Sequence, residues 1–155
     1  MNKFSSFYIL FILLMLTSHI IAQHKDCDTA LEFCGNSPFH IVPTAGIGVA
    51  DIGIENTCVF QEFNSMWVKW TVMEDCIISF VLTPDSLEQD LDFVVFQSGS
   101  EYDCNNKSQI RCMAAGANIG QPPQEWLNCA GATGLAVGNT DVDEPAGCSS
   151  SSNNF

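Results

Sequence analysis

The sequence predicts an all-β domain, a disulfide-stapled β-sandwich of jelly-roll type with one short N-terminal helix. Three observations carry that expectation. Short apolar runs, alternating or continuous, are separated by turn residues along the middle of the chain. Eight cysteines in 155 residues offer covalent staples. A 46% hydrophobic share with 10% aromatics suffices for a packed interior, and the length suits one domain.

The chain opens with Lys3 and a ten-residue apolar run from Phe7 to Leu16. Thr17 to Ile21 follows, with small Ala22 before Gln23. That order of charge, apolar run and small residue is the pattern of a secretory signal peptide over 1–22. An uncleaved anchor is the competing reading, but the run is short of the roughly 20 residues that span a bilayer. The domain then covers 23–155, and no membrane insertion of the mature chain is expected.

Asp26 to Cys34 places acids first and sets Ala30, Leu31 and Cys34 on one helical face; Gly35-Asn36-Ser37-Pro38 stops it. This is the predicted helix. Phe39 to Val42 reads as a brief strand. Gly46-Ile47-Gly48 reads as a turn, not a dinucleotide loop, because Asp51 takes the position a third glycine would need. From Ser65 to Val72, Met66, Val68, Trp70 and Val72 alternate with Lys69 and Thr71, which predicts a half-buried strand. Cys76 to Leu82 predicts a second, ended by Thr83-Pro84-Asp85-Ser86. Leu91 to Phe96 predicts a third with both faces covered. Beyond Ser98 the chain is rich in Gly, Asn, Pro and Ser, and only Ile110 to Met113 and Leu135 to Val137 read as strands.

All eight cysteines, Cys27, Cys34, Cys58, Cys76, Cys104, Cys112, Cys129 and Cys148, follow the leader. An exported chain with an even count implies up to four bridges, and the spacing cannot choose among pairings. Cys104 with Cys112 and Cys129 with Cys148 are the loop-closing pairs expected first. If the helix holds, Cys27 and Cys34 stand about 10 Å apart, too far to bridge each other. Zinc is the alternative, but the chain has no C-x-x-C pair and only His24 and His40 past the leader.

The formal charge is −13, from 18 acidic and 5 basic residues. No basic stripe exists to neutralise phosphates, which excludes nucleic acid, and anionic membrane surfaces attract the opposite composition. The acids of interest are Asp90 and Asp92, which an extended backbone would project to one side, and Asp141 and Asp143. Carboxylates in such pairs suit calcium, which takes six to eight oxygens. They could also serve a secreted hydrolase as acid and base. Neither G-x-S-x-G nor H-E-x-x-H occurs. Trp67 and Trp70 read as core residues. Trp126, in a Pro- and Gln-rich loop, is the candidate for an exposed contact with a glycan or protein. Asn106-Lys107-Ser108 matches the N-glycosylation acceptor.

Several stretches resemble a secreted module at the N-terminus of large cell-surface proteins of Bacteroidetes-type bacteria. Those proteins often end in gliding-motility-associated or type IX secretion sorting domains. The stretches are Asp26 to Ala30, Asn64 to Thr71, Asp90 to Phe96, Ile110 to Gly116, and Thr133 to Cys148. Asp90-Leu91-Asp92-Phe93 through Phe96 also resembles pre-peptidase C-terminal domains, which are jelly rolls appended to secreted enzymes. The resemblance implies a non-catalytic surface module for adhesion or glycan contact and carries over no catalytic residues. In that family further strands follow the position of Phe155. It therefore implies a domain incomplete at its C-terminal end, with an open sheet edge.

Overall fold

The computed structural model describes residues 24–43, 45–52, 57–59, 61–87, 89–99, 101–116, 131–138 and 142–147. The expected leader over 1–22, the expected bridge between Cys129 and Cys148, Asp141, Trp126 and the final serines lie outside those residues. Among the described residues there are seven strands: β1 (Leu31–Glu32), β2 (Val68–Lys69), β3 (Phe80–Leu82), β4 (Phe93–Ser98), β5 (Lys107–Ala115), β6 (Thr133–Leu135) and β7 (Asp143–Gly147). They form a parallel pair β1-β2, an antiparallel pair β3-β6, and a three-stranded sheet ordered β4-β5-β7. From β3 onward the chain leaves the β3-β6 pair for β4 and β5, returns for β6, and crosses back for β7.

The predicted N-terminal helix does not form. A single 3-10 turn, Cys27–Thr29, ends at Ala30, whose φ of −50° and ψ of 135° already leave helical space. Leu31 and Phe33 then donate their backbone N–H groups to the carbonyls of Trp67 and Lys69, both at 2.8 Å. Pairing with a distant strand overrides the local helical pattern. Phe39 to Val42 also departs from expectation: no strand forms there, and Phe39 and Val42 are exposed. The run from Ser65 pairs only over Val68–Lys69, and Trp70 and Val72 lie on the surface rather than on a buried face.

β5 organises the interior. Its residues Arg111 to Ala115 are all buried. β4 runs antiparallel along one edge, and an extra residue on β5, Ile110, shifts the register where Val95 faces Arg111 and Phe96 faces Gln109. Such a bulge re-aims side chains on either side of it. β7 runs parallel along the other edge, and its register also slips between Met113 and Ala115. Pro145 falls in that slip, where a missing N–H costs least. Arg111 Nη2 stands 3.8 Å from Glu144 Oε1, so the buried cation faces a largely buried anion. At Gly134 (φ +154°) a Cβ would meet the Phe80 carbonyl oxygen at 2.1 Å. Only glycine lets β6 approach β3 this closely.

Two disulfides lock this frame: Cys27–Cys104, 77 positions apart, and Cys58–Cys112, 54 apart. The expected Cys104–Cys112 bridge is therefore wrong. Cys112 is fully buried at the centre of the three-stranded sheet, and its sulfur accepts from the Cys58 N–H (2.9 Å). A neighbour along the chain could not reach it there without leaving the ladder. Cys34 and Cys76 are exposed, with no bridge among the described residues. Of the seven buried apolar residues among those described, Cys27, Cys104 and Cys112 are bridged cysteines, so sulfur makes up much of a small core.

Candidate functional site

The β4–β5 hairpin presents the two surfaces of interest, one at each end. Just before β4, Asp90 packs against Gly116, where a Cβ would collide with the Asp90 carboxylate. Two positions on, Asp92 keeps an exposed surface, yet surrounding protein crowds its carboxyl group. That desolvation first, and the charge of Asp90 second, raise its pKa from 3.8 to about 6. The charge of Asp90 thus reaches the Asp92 carboxyl group. Asp143 stands apart from both: it lies beside Cys112, across β5 from β4, and accepts from Gln109 Nε2 at 2.6 Å. Among the described residues no group of three His, Cys, Asp or Glu side chains is placed to hold a metal ion.

The opposite end carries aromatic and polar groups. Trp67 stacks on Phe96 with ring centroids 5.7 Å apart, and its Nε1 donates to Glu62 Oε1 (2.8 Å). Packing, not display, is therefore the role of Trp67. Trp70 meets Phe80 edge-on and keeps part of its surface in solvent. Lys107 Nζ lies over both stacked rings, 5.4 Å from the Trp67 centroid and 5.3 Å from that of Phe96. Cation–ring attraction of this kind holds the ammonium without neutralising it.

An open pocket of about 290 Å³ is lined by Gln97, Ser98, Gly99, Asn106, Lys107 and Ser108. The loop that bounds it is held from within. Ser98 Oγ donates to the Glu101 carbonyl (2.8 Å) and accepts from the Asp103 N–H (3.0 Å). Asp103 Oδ1 accepts from the Asn105 N–H, and Lys107 Nζ donates to the Cys104 carbonyl at 2.6 Å. Cys104 is itself bridged to Cys27. Tyr102 donates its hydroxyl to the Cys27 carbonyl, and Lys69 lies over its ring. Burial, then the charges of Asp28 and Asp51, push the Tyr102 phenol above its ordinary 10.0, which keeps it a donor.

The pocket residues are reachable from the sequence in one respect. Asn106-Lys107-Ser108 stands out as a glycosylation pattern, and Asp103 to Asn106 is turn-forming. Gln97 and Ser98 carry no such signal; only the register of the hairpin brings them opposite Ser108 and Lys107. Among the described residues no helix is long and apolar enough to cross a membrane. No family model, no curated protein and no solved structure matches the chain.

Proposed function

We propose that this chain is a non-catalytic module of β-sandwich type, secreted or displayed at the cell surface, that contacts an extracellular glycan or protein. The observation that carries the reading is the polar pocket on a disulfide-clamped hairpin. Binding residues commonly sit on loops that a rigid scaffold positions. The two bridged cysteine pairs favour an oxidising compartment. The alternation of the chain between the β3-β6 pair and the three-stranded sheet supports a two-layer arrangement. The resemblance to surface modules of gliding, type IX-secreting bacteria favours adhesion. The test is a glycan and extracellular-protein array probed with oxidised protein, in parallel with the Gln97→Ala variant. Selective capture weakened by the substitution supports the reading; absence of any selective capture ends it.

A second reading rests on the acidic pair, because a carboxyl group raised to about 6 beside a second carboxyl is the kind of pair a hydrolase uses as acid and base. Turnover of glycans or peptides that disappears in Asp92→Asn would favour it. The same pair also motivates a calcium-stabilised spacer. A ligand bound only to the native state raises the unfolding temperature, so a chelator that leaves thermal unfolding unchanged removes calcium from the account.

A further inference from the structure

We infer that the hairpin pocket takes one uncharged sugar ring, the exposed terminal unit of a neutral glycan; this rests on the binding-module reading above and narrows it. Size is the first argument. At about 290 Å³ the pocket lies at the lower edge of ligand sites, which run from about 300 to 1,000 Å³, and it is open to solvent. A single ring standing out from a chain fits such a place, and a long enclosed ligand does not.

The lining is the second argument. Gln97 and Asn106 offer amides, each with both donors and an acceptor, Ser108 offers a hydroxyl, and Ser98, whose O–H is already donated to the Glu101 carbonyl, offers a remaining lone pair. Sugar hydroxyls need that mixture of donors and acceptors. The Ser108 hydroxyl leans only weakly on the Gln97 carbonyl, at 3.5 Å, and so can turn to a ligand.

Charge is the third. Lys107, the cation of the lining, is held by the Cys104 carbonyl and two aromatic rings, while Lys69 pairs with Glu32 and Arg111 with Glu144. Glu101 and Asp103 stand in the loop beside the pocket, within a chain of formal charge −13. An anionic sugar would meet only the Lys107 ammonium, already engaged by the Cys104 carbonyl and two rings, against the repulsion of the acidic surface around it. Preorganisation is the fourth. The Cys27–Cys104 bridge and the Ser98 and Asp103 hydrogen bonds fix the loop before any ligand arrives, which lowers the ordering cost of binding.

The experiment is a backbone-amide NMR titration of the oxidised protein with methyl glycosides of neutral hexoses and N-acetylhexosamines. Methyl glucuronide is the charged comparison. Shifts at Gln97 to Gly99 and Asn106 to Ser108 are expected, saturating with a Kd of about 1–10 mM, with little dependence on salt. Gln97→Ala and Asn106→Ala, each losing hydrogen bonds at the surface, should weaken binding about fivefold with unfolding temperature unchanged. Stronger binding of the glucuronide, or shifts confined to other residues, overturns the inference while leaving a binding module in place. No shift with any glycoside, when an array shows glycan capture, also overturns it. Array capture of protein alone does so as well, yet keeps the broader reading.

Discussion

Glu62 shows how much one buried side chain can organise. It is only 6% exposed, and its two oxygens accept from the Asp51 N–H, the Ile52 N–H and Trp67 Nε1. Asp51 in turn accepts from the Cys27 N–H at 2.7 Å, so this carboxylate supports the segment that carries the Cys27–Cys104 bridge. Glu62→Ala strands three donors, each costing about 1–3 kcal/mol when buried and unpaired. A loss of about 3 kcal/mol or more in urea unfolding is expected. A loss below about 1 kcal/mol would show that water replaces the carboxylate and that the cluster is not structural. Asp92 gives a prediction of the other kind. Its folded carboxyl holds a proton up to about pH 6, whereas the unfolded chain releases it near 3.8. Across that window the folded state binds more protons, so stability falls as pH rises and stays lower above 6. Asp92→Asn should remove that decline, which unfolding temperatures measured from below the lower value to above the upper one would reveal. Identical profiles for the two proteins would mean the carboxyl titrates normally.

At the level of elements, legibility follows how far each segment depends on remote partners. Leu91 to Phe96 and Ile110 to Met113 are readable because continuous apolar runs need cover on both faces, and they form β4 and β5, the best-packed pair. Asp26 to Cys34 misleads because its 3.6-residue pattern is real, while its hydrogen bonds go to the remote residues Trp67 and Lys69. β7 is invisible in the sequence: Asp143-Glu144-Pro145-Ala146-Gly147 has poor strand propensity and is ordered by β5 alone. Of the candidate site, Asp90 and Asp92 are legible from alternation, whereas the polar pocket depends on hairpin register. β6 is half-visible, since a strand signal at Leu135 hides the contribution of Gly134. That glycine yields the element-scale prediction. Gly134→Ala adds a Cβ against the Phe80 carbonyl at a φ that side chains rarely adopt. Since the clash is with backbone, the β3-β6 pair must separate. A loss of about 2 kcal/mol or more is expected, with hydrogen exchange accelerated at Phe80 to Leu82. Unchanged exchange there would show that the pair adapts without opening.

For the molecule as a whole, the question is what holds together a chain whose described residues bury so few apolar side chains. Val95, Met113, Ala114 and Ala115 supply the carbon side chains of the interior, and bridged sulfur supplies much of the rest. Large apolar residues such as Met73, Ile77 and Val81 stay in solvent instead of adding to it. Closing a loop of 54 or 77 positions removes unfolded-state entropy worth about 4 kcal/mol for each bridge in the chain-entropy picture. A domain of ordinary stability has about 5–15 kcal/mol in total, so the two bridges together rival everything else. The Cys58–Cys112 pair is the sharper test, because it joins a peripheral segment to the centre of the sheet. Replacing both residues by serine should cost about 4 kcal/mol, and more if the hydroxyl newly buried in the middle of β5 finds no partner. The double variant should unfold at far lower urea while the Cys27–Cys104 loop keeps its hairpin contacts. Full reduction should unfold the chain at neutral pH without denaturant, read by loss of near-ultraviolet ellipticity from Trp67 and Tyr102. If the reduced protein instead keeps its native spectrum and cooperative transition, the carbon core is sufficient alone, and the bridges serve to fix the hairpin loop, not to hold the fold.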